Sequence, residues 1–129
     1  KNMRELAQYG DVVTEVRDWL VDRAEGARLA GVREVAIDPG IGFAKTPAHS
    51  FELLRRFSEF TATGYPAVAG ASRKSFLGLL EGQSRVEDRL EGSLAAAVIA
   101  ALAGAAVLRV HDVLATRRAV AVVEAVRGS

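Results

Sequence analysis

The sequence predicts an α/β protein with parallel strands, on three observations. Glycine follows a helical pattern at positions 31, 64 and 104, and a short apolar run follows each glycine. Each apolar run then breaks into polar or ionisable residues. Helices of ordinary length separate the runs, as parallel neighbours require.

The elements follow in order. Asp11 or a neighbour opens a helix that carries Val12, Val16, Trp19, Leu20 and Ala24 on one face. Gly31 closes it, and Val35-Ala36-Ile37 reads as the first strand, ending on Asp38. Thr46-Pro47 reads as N-cap and first residue of a helix carrying Phe51, Leu54 and Phe57. Gly64 leads into a second strand around Ala67-Val68-Ala69. Ser84-Arg85-Val86-Glu87 fits a capping box for an alanine-rich helix through about Ala103. Gly104 leads into the third strand, Val107-Leu108-Arg109-Val110. Asp112 caps a last helix with Leu114, Ala119, Val122, Val123 and Val126. No linker or low-complexity stretch divides the chain, so residues 1–129 read as part of one domain.

Composition narrows the function. Lys plus Arg number 17 against 16 Asp plus Glu, so no general basic footprint for nucleic acid or an anionic membrane exists. Any anion site is therefore local. There is no cysteine, which excludes disulfides and thiolate metal sites and suits a cytoplasmic protein. The longest apolar run, Leu94 to Leu108, falls short of the roughly 20 residues a membrane span needs. No signal peptide is visible, and the chain opens in a helical pattern with no strand before it. Three strands do not complete a parallel sheet covered on both faces, so the missing strands are expected upstream of Lys1.

Ligands of parallel α/β proteins bind at the carboxyl ends of strands. Asp38 stands there, followed by Pro39-Gly40-Ile41-Gly42-Phe43-Ala44-Lys45. It has two readings of equal weight: a cap of the turn, or a carboxylate accepting from an amino-pyrimidine edge. Phe43 is either core or a flat wall for an aromatic ligand. The second strand ends in Gly70-Ala71-Ser72-Arg73-Lys74-Ser75-Phe76-Leu77-Gly78. Ser72 is read as the cap of a short helix with Arg73 and Lys74 in its first turn. Two cations there oppose the helix dipole, which favours an anionic or polar ligand. The third strand ends in Arg109-Val110-His111-Asp112, with Arg109 and His111 on one face and suited to phosphate. Their alternative is a salt-bridge partner and a satisfied histidine. His49 reads as structural or solvated. Schiff-base chemistry at Lys74 has only the neighbouring Arg73 in its favour.

These three segments, in this order and spacing, resemble dihydropteroate synthases of folate biosynthesis. Leu90-Glu91-Gly92-Ser93 and the helix after it share the resemblance. It implies a C-terminal part of a (β/α)8 TIM barrel, strands six to eight. It implies condensation of 6-hydroxymethyl-7,8-dihydropterin pyrophosphate with p-aminobenzoate, giving 7,8-dihydropteroate and pyrophosphate. Asp38 would hold the pterin edge, Lys74 would bond the pterin and help shape the p-aminobenzoate pocket, and Gly70 would be a further substrate-binding residue. Phe43 and Ser75 would line the p-aminobenzoate pocket, where sulfonamides also bind. Arg109, His111 and Arg73 would hold pyrophosphate. The resemblance also implies Mg2+, whose Asn lies outside this chain, and a homodimer through residues 88–104 and 112–126. It further implies a chain inactive by itself, with exposed edges that make it unstable or self-associating. Two rivals remain: a pterin-binding methyltransferase barrel, for which the anion residues have no use, and a non-catalytic pterin-binding copy.

Overall fold

A computed structural model describes residues 9–128. The helices are α1 (Val12–Leu29), α2 (Pro47–Arg55), the one-turn α3 (Ser58–Thr61), α4 (Leu90–Leu102) and α5 (Val113–Arg127). Two short strands, β1 (Val68–Ala69) and β2 (Val107–Leu108), pair in parallel with Val68 opposite Val107 and Ala69 opposite Leu108. The first predicted strand is reduced to one parallel bridge between Ile37 and Ala67. It is nonetheless tied on both sides of that bridge, by Ile37 N–H to Pro66 O and Val68 N–H to Ile37 O, each at 2.8 Å. The three predicted strands therefore lie side by side in chain order, with the 67–69 segment in the middle.

The three punctuating glycines take φ of +104° at Gly31, +89° at Gly64 and +93° at Gly104. Gly104 has a second reason to lack a side chain. A Cβ there would lie 2.6 Å from the Thr61 Cγ2 methyl, and the Thr61 hydroxyl donates to Ala103 O at 2.8 Å. The end of α4 is thus docked on α3 by close backbone approach.

The helix starts divide into those set locally and those set by distant partners. Asp11 caps α1, accepting from Thr14 N–H at 3.1 Å. Thr46 caps α2, accepting from His49 N–H, while His49 Nδ1 accepts from Thr46 N–H at 3.2 Å. His49 is therefore structural, the reciprocal half of a capping box. The expected box at Ser84 does not form. Residues Val86–Asp88 make a single 3-10 turn and α4 begins only at Leu90. The Arg89 guanidinium binds the carbonyls of Gln83 and Ser84 and fixes that segment as a loop. Asp112 occupies the N-cap position of α5 but makes no side-chain cap, because Arg73 holds its carboxylate.

The core lies between the helices and the strand segments. Val13, Ile41, Leu53, Phe57 and Phe60 are completely or almost completely buried. Burying each large apolar side chain stabilises the fold by about 1.5–3 kcal/mol. Val12, Val16 and Ala24 face inward from α1 as expected, but Trp19 is 61 % exposed. Its ring instead carries the Arg23 guanidinium 5.5 Å from the centroid. Phe57 is buried beyond the end of α2, in the turn before α3. On α5 only Thr116 and Val123 are buried, and Leu114, Val122 and Val126 lie open. No helix among the described residues is long and apolar enough to cross a membrane.

Candidate functional site at the strand ends

The parallel register carries Asp38, Gly70 and Arg109 to the same end of the three strand segments. Arg109 N–H donates to Ala69 O at 2.9 Å, which fixes the third segment against the second. From there the Arg109 side chain crosses the middle segment and reaches Asp38, Nη2 to Oδ2 at 3.2 Å. It can cross only because Gly70 has no side chain. A Cβ at Gly70 would meet Nη2 at 2.7 Å and Nε and Cζ at 3.1 Å.

Asp38 takes the first of its two readings, the cap of the turn, and adds an ion pair that the sequence did not foretell. Oδ1 accepts from Gly40 N–H at 2.8 Å and closes the turn, while Oδ2 holds Arg109. The turn that follows is tightly specified. Gly40 and Gly42 have φ of +71° and +80°, and Ala44 adopts +52°, where a side chain is strained. Gly42 N–H donates to the buried Ser50 hydroxyl at 2.9 Å. The Lys74 stem lies against Gly42: a Cβ there would be 3.1–3.3 Å from Lys74 Cδ, Cγ and Cβ. The three motifs are thus brought together, Gly42 of the first against the Lys74 stem of the second and Gly70 of the second against the Arg109 guanidinium of the third.

Lys45 closes the same motif and has a place that its sequence position does not reveal. It is half-buried, donates to Phe43 O at 3.0 Å and lies 5.8 Å from the Tyr9 ring centroid. Burial pushes its amine below the ordinary 10.5, with the charge of Asp38 partly opposing that shift. A cleft of about 560 Å3 opens beside this turn, with Trp19, Asp38, Phe43 and Lys45 in its wall. Phe43 is 61 % exposed and borders this cleft, so it is not core among the described residues.

The second motif departs from expectation. Ser72 caps no helix; the 3-10 turn Ser75–Leu79 starts after Lys74, so Arg73 and Lys74 precede it. The Ser72 hydroxyl instead accepts from His111 N–H at 3.2 Å and lies 2.9 Å from His111 Nδ1. Arg73 has φ +57° and pairs with Asp112 at 2.9 Å. That hydrogen bond holds the Asp112 carboxyl below its ordinary value and the Arg73 guanidinium above its own. Ser75 is exposed at the start of the 3-10 turn. Arg109 and His111 share the strand end but engage different partners, Asp38 and Ser72. The chemistry available is two carboxylates and two arginines, Asp38 with Arg109 and Asp112 with Arg73, each acid one that an incoming anion could replace, with an amine stem and an imidazole beside them.

Sequence reasoning missed Arg89. Its guanidinium is buried and bonds only carbonyls, one of them that of Arg73. Only the spacing to Gly78, whose missing side chain leaves room for that guanidinium, could have signalled it.

Residues 1–111 match the family described as pterin binding enzyme. Among similar proteins, the dihydropteroate synthase of Escherichia coli K12 is 43 % identical over 127 residues, covering 97 % of this chain and 45 % of its own length. That of Mycobacterium leprae is 46 % identical over 128 residues, covering 94 % and 45 %. The Thermus thermophilus dihydropteroate synthase in complex with 4-aminobenzoate superposes with a TM-score of 0.91 at 46 % identity, covering 95 % of this chain and 50 % of that one. The Xanthomonas albilineans enzyme in complex with 7,8-dihydropteroate gives 0.91 at 43 %, covering 96 % and 48 %. The chain spans about half the length of the relatives it matches, and its strands and helices form part of their TIM barrel. With most of its length matched at this identity, the chain belongs to the pterin binding enzyme family.

Proposed function

We propose that this chain is the C-terminal part of a dihydropteroate synthase barrel, strands six to eight, in one domain. In this reading it helps join 6-hydroxymethyl-7,8-dihydropterin pyrophosphate to p-aminobenzoate, releasing pyrophosphate. The observation that carries the reading is the meeting of Asp38 and Arg109 across Gly70. A carboxylate for a pterin edge and a guanidinium for a leaving phosphate are 3.2 Å apart.

The chemistry follows from that pairing. The arylamine nitrogen is a neutral nucleophile and forms the C–N bond at the exocyclic carbon as the C–O bond breaks. The electron pair leaves with pyrophosphate, and the amine proton passes to solvent. Arg109, His111 and Arg73 stabilise the charge that develops on the leaving oxygens. Asp38 exchanges Arg109 for the amino-pyrimidine N–H groups. Lys74 bonds the pterin, while Phe43 and Ser75 border the arylamine, the place a sulfonamide would also take. The complexes of relatives with 6HMPPP and with 4-aminobenzoate support this assignment of substrates. Among the described residues no group of three or more His, Cys, Asp or Glu is placed to hold a metal, and the Asn that would serve Mg2+ lies outside this chain in this reading. A homodimer through residues 88–104 and 112–126 and a cytoplasmic location complete the proposal. The open Leu102, Val122 and Val126 side chains support the first.

The test is equilibrium binding of 6-hydroxymethylpterin by the chain and by Asp38→Asn. Losing one charge-assisted pair costs about 1.5–3 kcal/mol, so the substitution should weaken binding about ten- to a hundredfold. Equal binding by the two proteins would remove Asp38 from the site.

A further inference from the structure

Arg89 is 8 % exposed and has no carboxylate within ion-pair distance among the described residues. A buried cation survives only if hydrogen bonds replace its water. Here three carbonyls do so: Gln83 O on Nε at 2.9 Å, Ser84 O on Nη2 at 2.6 Å and Arg73 O on Nη1 at 3.2 Å. Ser93, one turn along α4, completes the arrangement. Its hydroxyl donates to Arg89 O at 2.6 Å and accepts from Arg73 N–H at 2.9 Å. Both backbone groups of Arg73 are therefore held from the start of α4, the N–H by Ser93 in its first turn and the C=O by Arg89 just before it. Arg73 is also one of two non-glycine residues with positive φ among the described residues, at +57°. An L-residue enters that region only when its surroundings hold it there.

We infer that Arg89 and Ser93 are positioning residues that clamp Arg73 in the left-handed conformation and so set the Arg73 guanidinium on Asp112 and the Lys74 stem on Gly42, beside the Asp38 turn. The clamp explains why Arg73 points to Asp112 while the next residue turns its stem onto Gly42. An extended Arg73 would send Lys74 elsewhere. The inference rests on the reading of this segment as substrate-binding.

The test measures pyrophosphate binding calorimetrically for the chain, Ser93→Ala and Ser93→Thr, with the Arg73 backbone conformation followed by NMR couplings. Ser93→Ala should bind pyrophosphate about tenfold more weakly, the equivalent of one misplaced hydrogen-bonding group. Its Arg73 φ should shift to negative values. Ser93→Thr keeps the hydroxyl and should restore both readouts, which a loss of general packing would not predict. Unchanged affinity and an unchanged φ in Ser93→Ala would overturn the clamp and leave the anion reading standing. Absence of pyrophosphate binding by the unaltered chain would overturn both. If Ser93→Ala does not fold, Arg73→Gly decides, because glycine takes positive φ without a clamp. A folded Arg73→Gly/Ser93→Ala double variant supports the inference; an unfolded one makes Ser93 a general packing residue and refutes it.

Discussion

Gly70→Ala places one methyl group where the Arg109 guanidinium now lies. The new Cβ would stand 2.7 Å from Nη2, closer than real Cβ atoms come, and 3.1 Å from Cζ, tighter than most real contacts. The obstructed atoms are the far end of a flexible side chain, and the Gly70 backbone lies outside the left-handed region. The strain is therefore relieved by swinging Arg109 away from Asp38 rather than by moving the strands. What the fold loses is one ion pair whose side chains are 66 % and 31 % exposed. Solvent screens such a pair to about 0–1 kcal/mol. Thermal unfolding should fall by no more than a few degrees. Binding should suffer far more, since a displaced guanidinium forfeits a charge-assisted contact of about 1.5–3 kcal/mol, a ten- to hundredfold loss for pyrophosphate. Calorimetric titration beside thermal melts separates the two effects. Gly70→Ala combined with Arg109→Ala should bind no worse than Arg109→Ala alone, because the methyl acts only through that side chain. Pyrophosphate affinity retained in Gly70→Ala would refute the reasoning. So would a protein that no longer folds.

Two further predictions concern stability. Gly104→Ala combines a left-handed backbone with a Cβ 2.6 Å from the Thr61 methyl, so it should cost about 2–4 kcal/mol in denaturant unfolding. It should leave ligand contacts at the strand ends untouched in the fraction that folds. The Asp11 carboxyl sits at about 2 rather than 3.8, held down first by Thr14 N–H and then by Arg56. A depressed acid contributes its full stability above 3.8 and loses it as pH falls through about 2. Melting temperature should therefore drop across that window, and Asp11→Ala should show a shallower drop there.

Where one residue's own conformational preference decided the outcome, the sequence was readable. The left-handed glycines at 31, 64 and 104 and the Thr46-Pro47 helix start depend on a few consecutive atoms. So did the placing of Asp38, Gly70 and Arg109 at strand ends, because parallel pairing aligns those ends in chain order. The errors share one cause. Ser72, Ser84 and Asp112 are all sound local caps, and each was diverted by a partner far along the chain or by a buried side chain. Ser72 is held by His111, the Ser84 carbonyl by Arg89 and the Asp112 carboxylate by Arg73. Trp19 fits its helix face by period yet lies open, since periodicity fixes direction along a helix and not what stands opposite it. The Asp38–Arg109 pair was out of reach for the same reason: both residues were identified, but their contact depends on the empty space at Gly70.

The central claim is that Asp38 and Arg109 belong to one site, in which a pterin edge and pyrophosphate compete with the ion pair between them. Titrating 6-hydroxymethylpterin with and without saturating pyrophosphate, in the protein and in Arg109→Ala, tests it directly. The account predicts tighter pterin binding in the presence of pyrophosphate, as the anion draws Arg109 off Asp38, and no such enhancement in Arg109→Ala. Enhancement that survives in Arg109→Ala would contradict it.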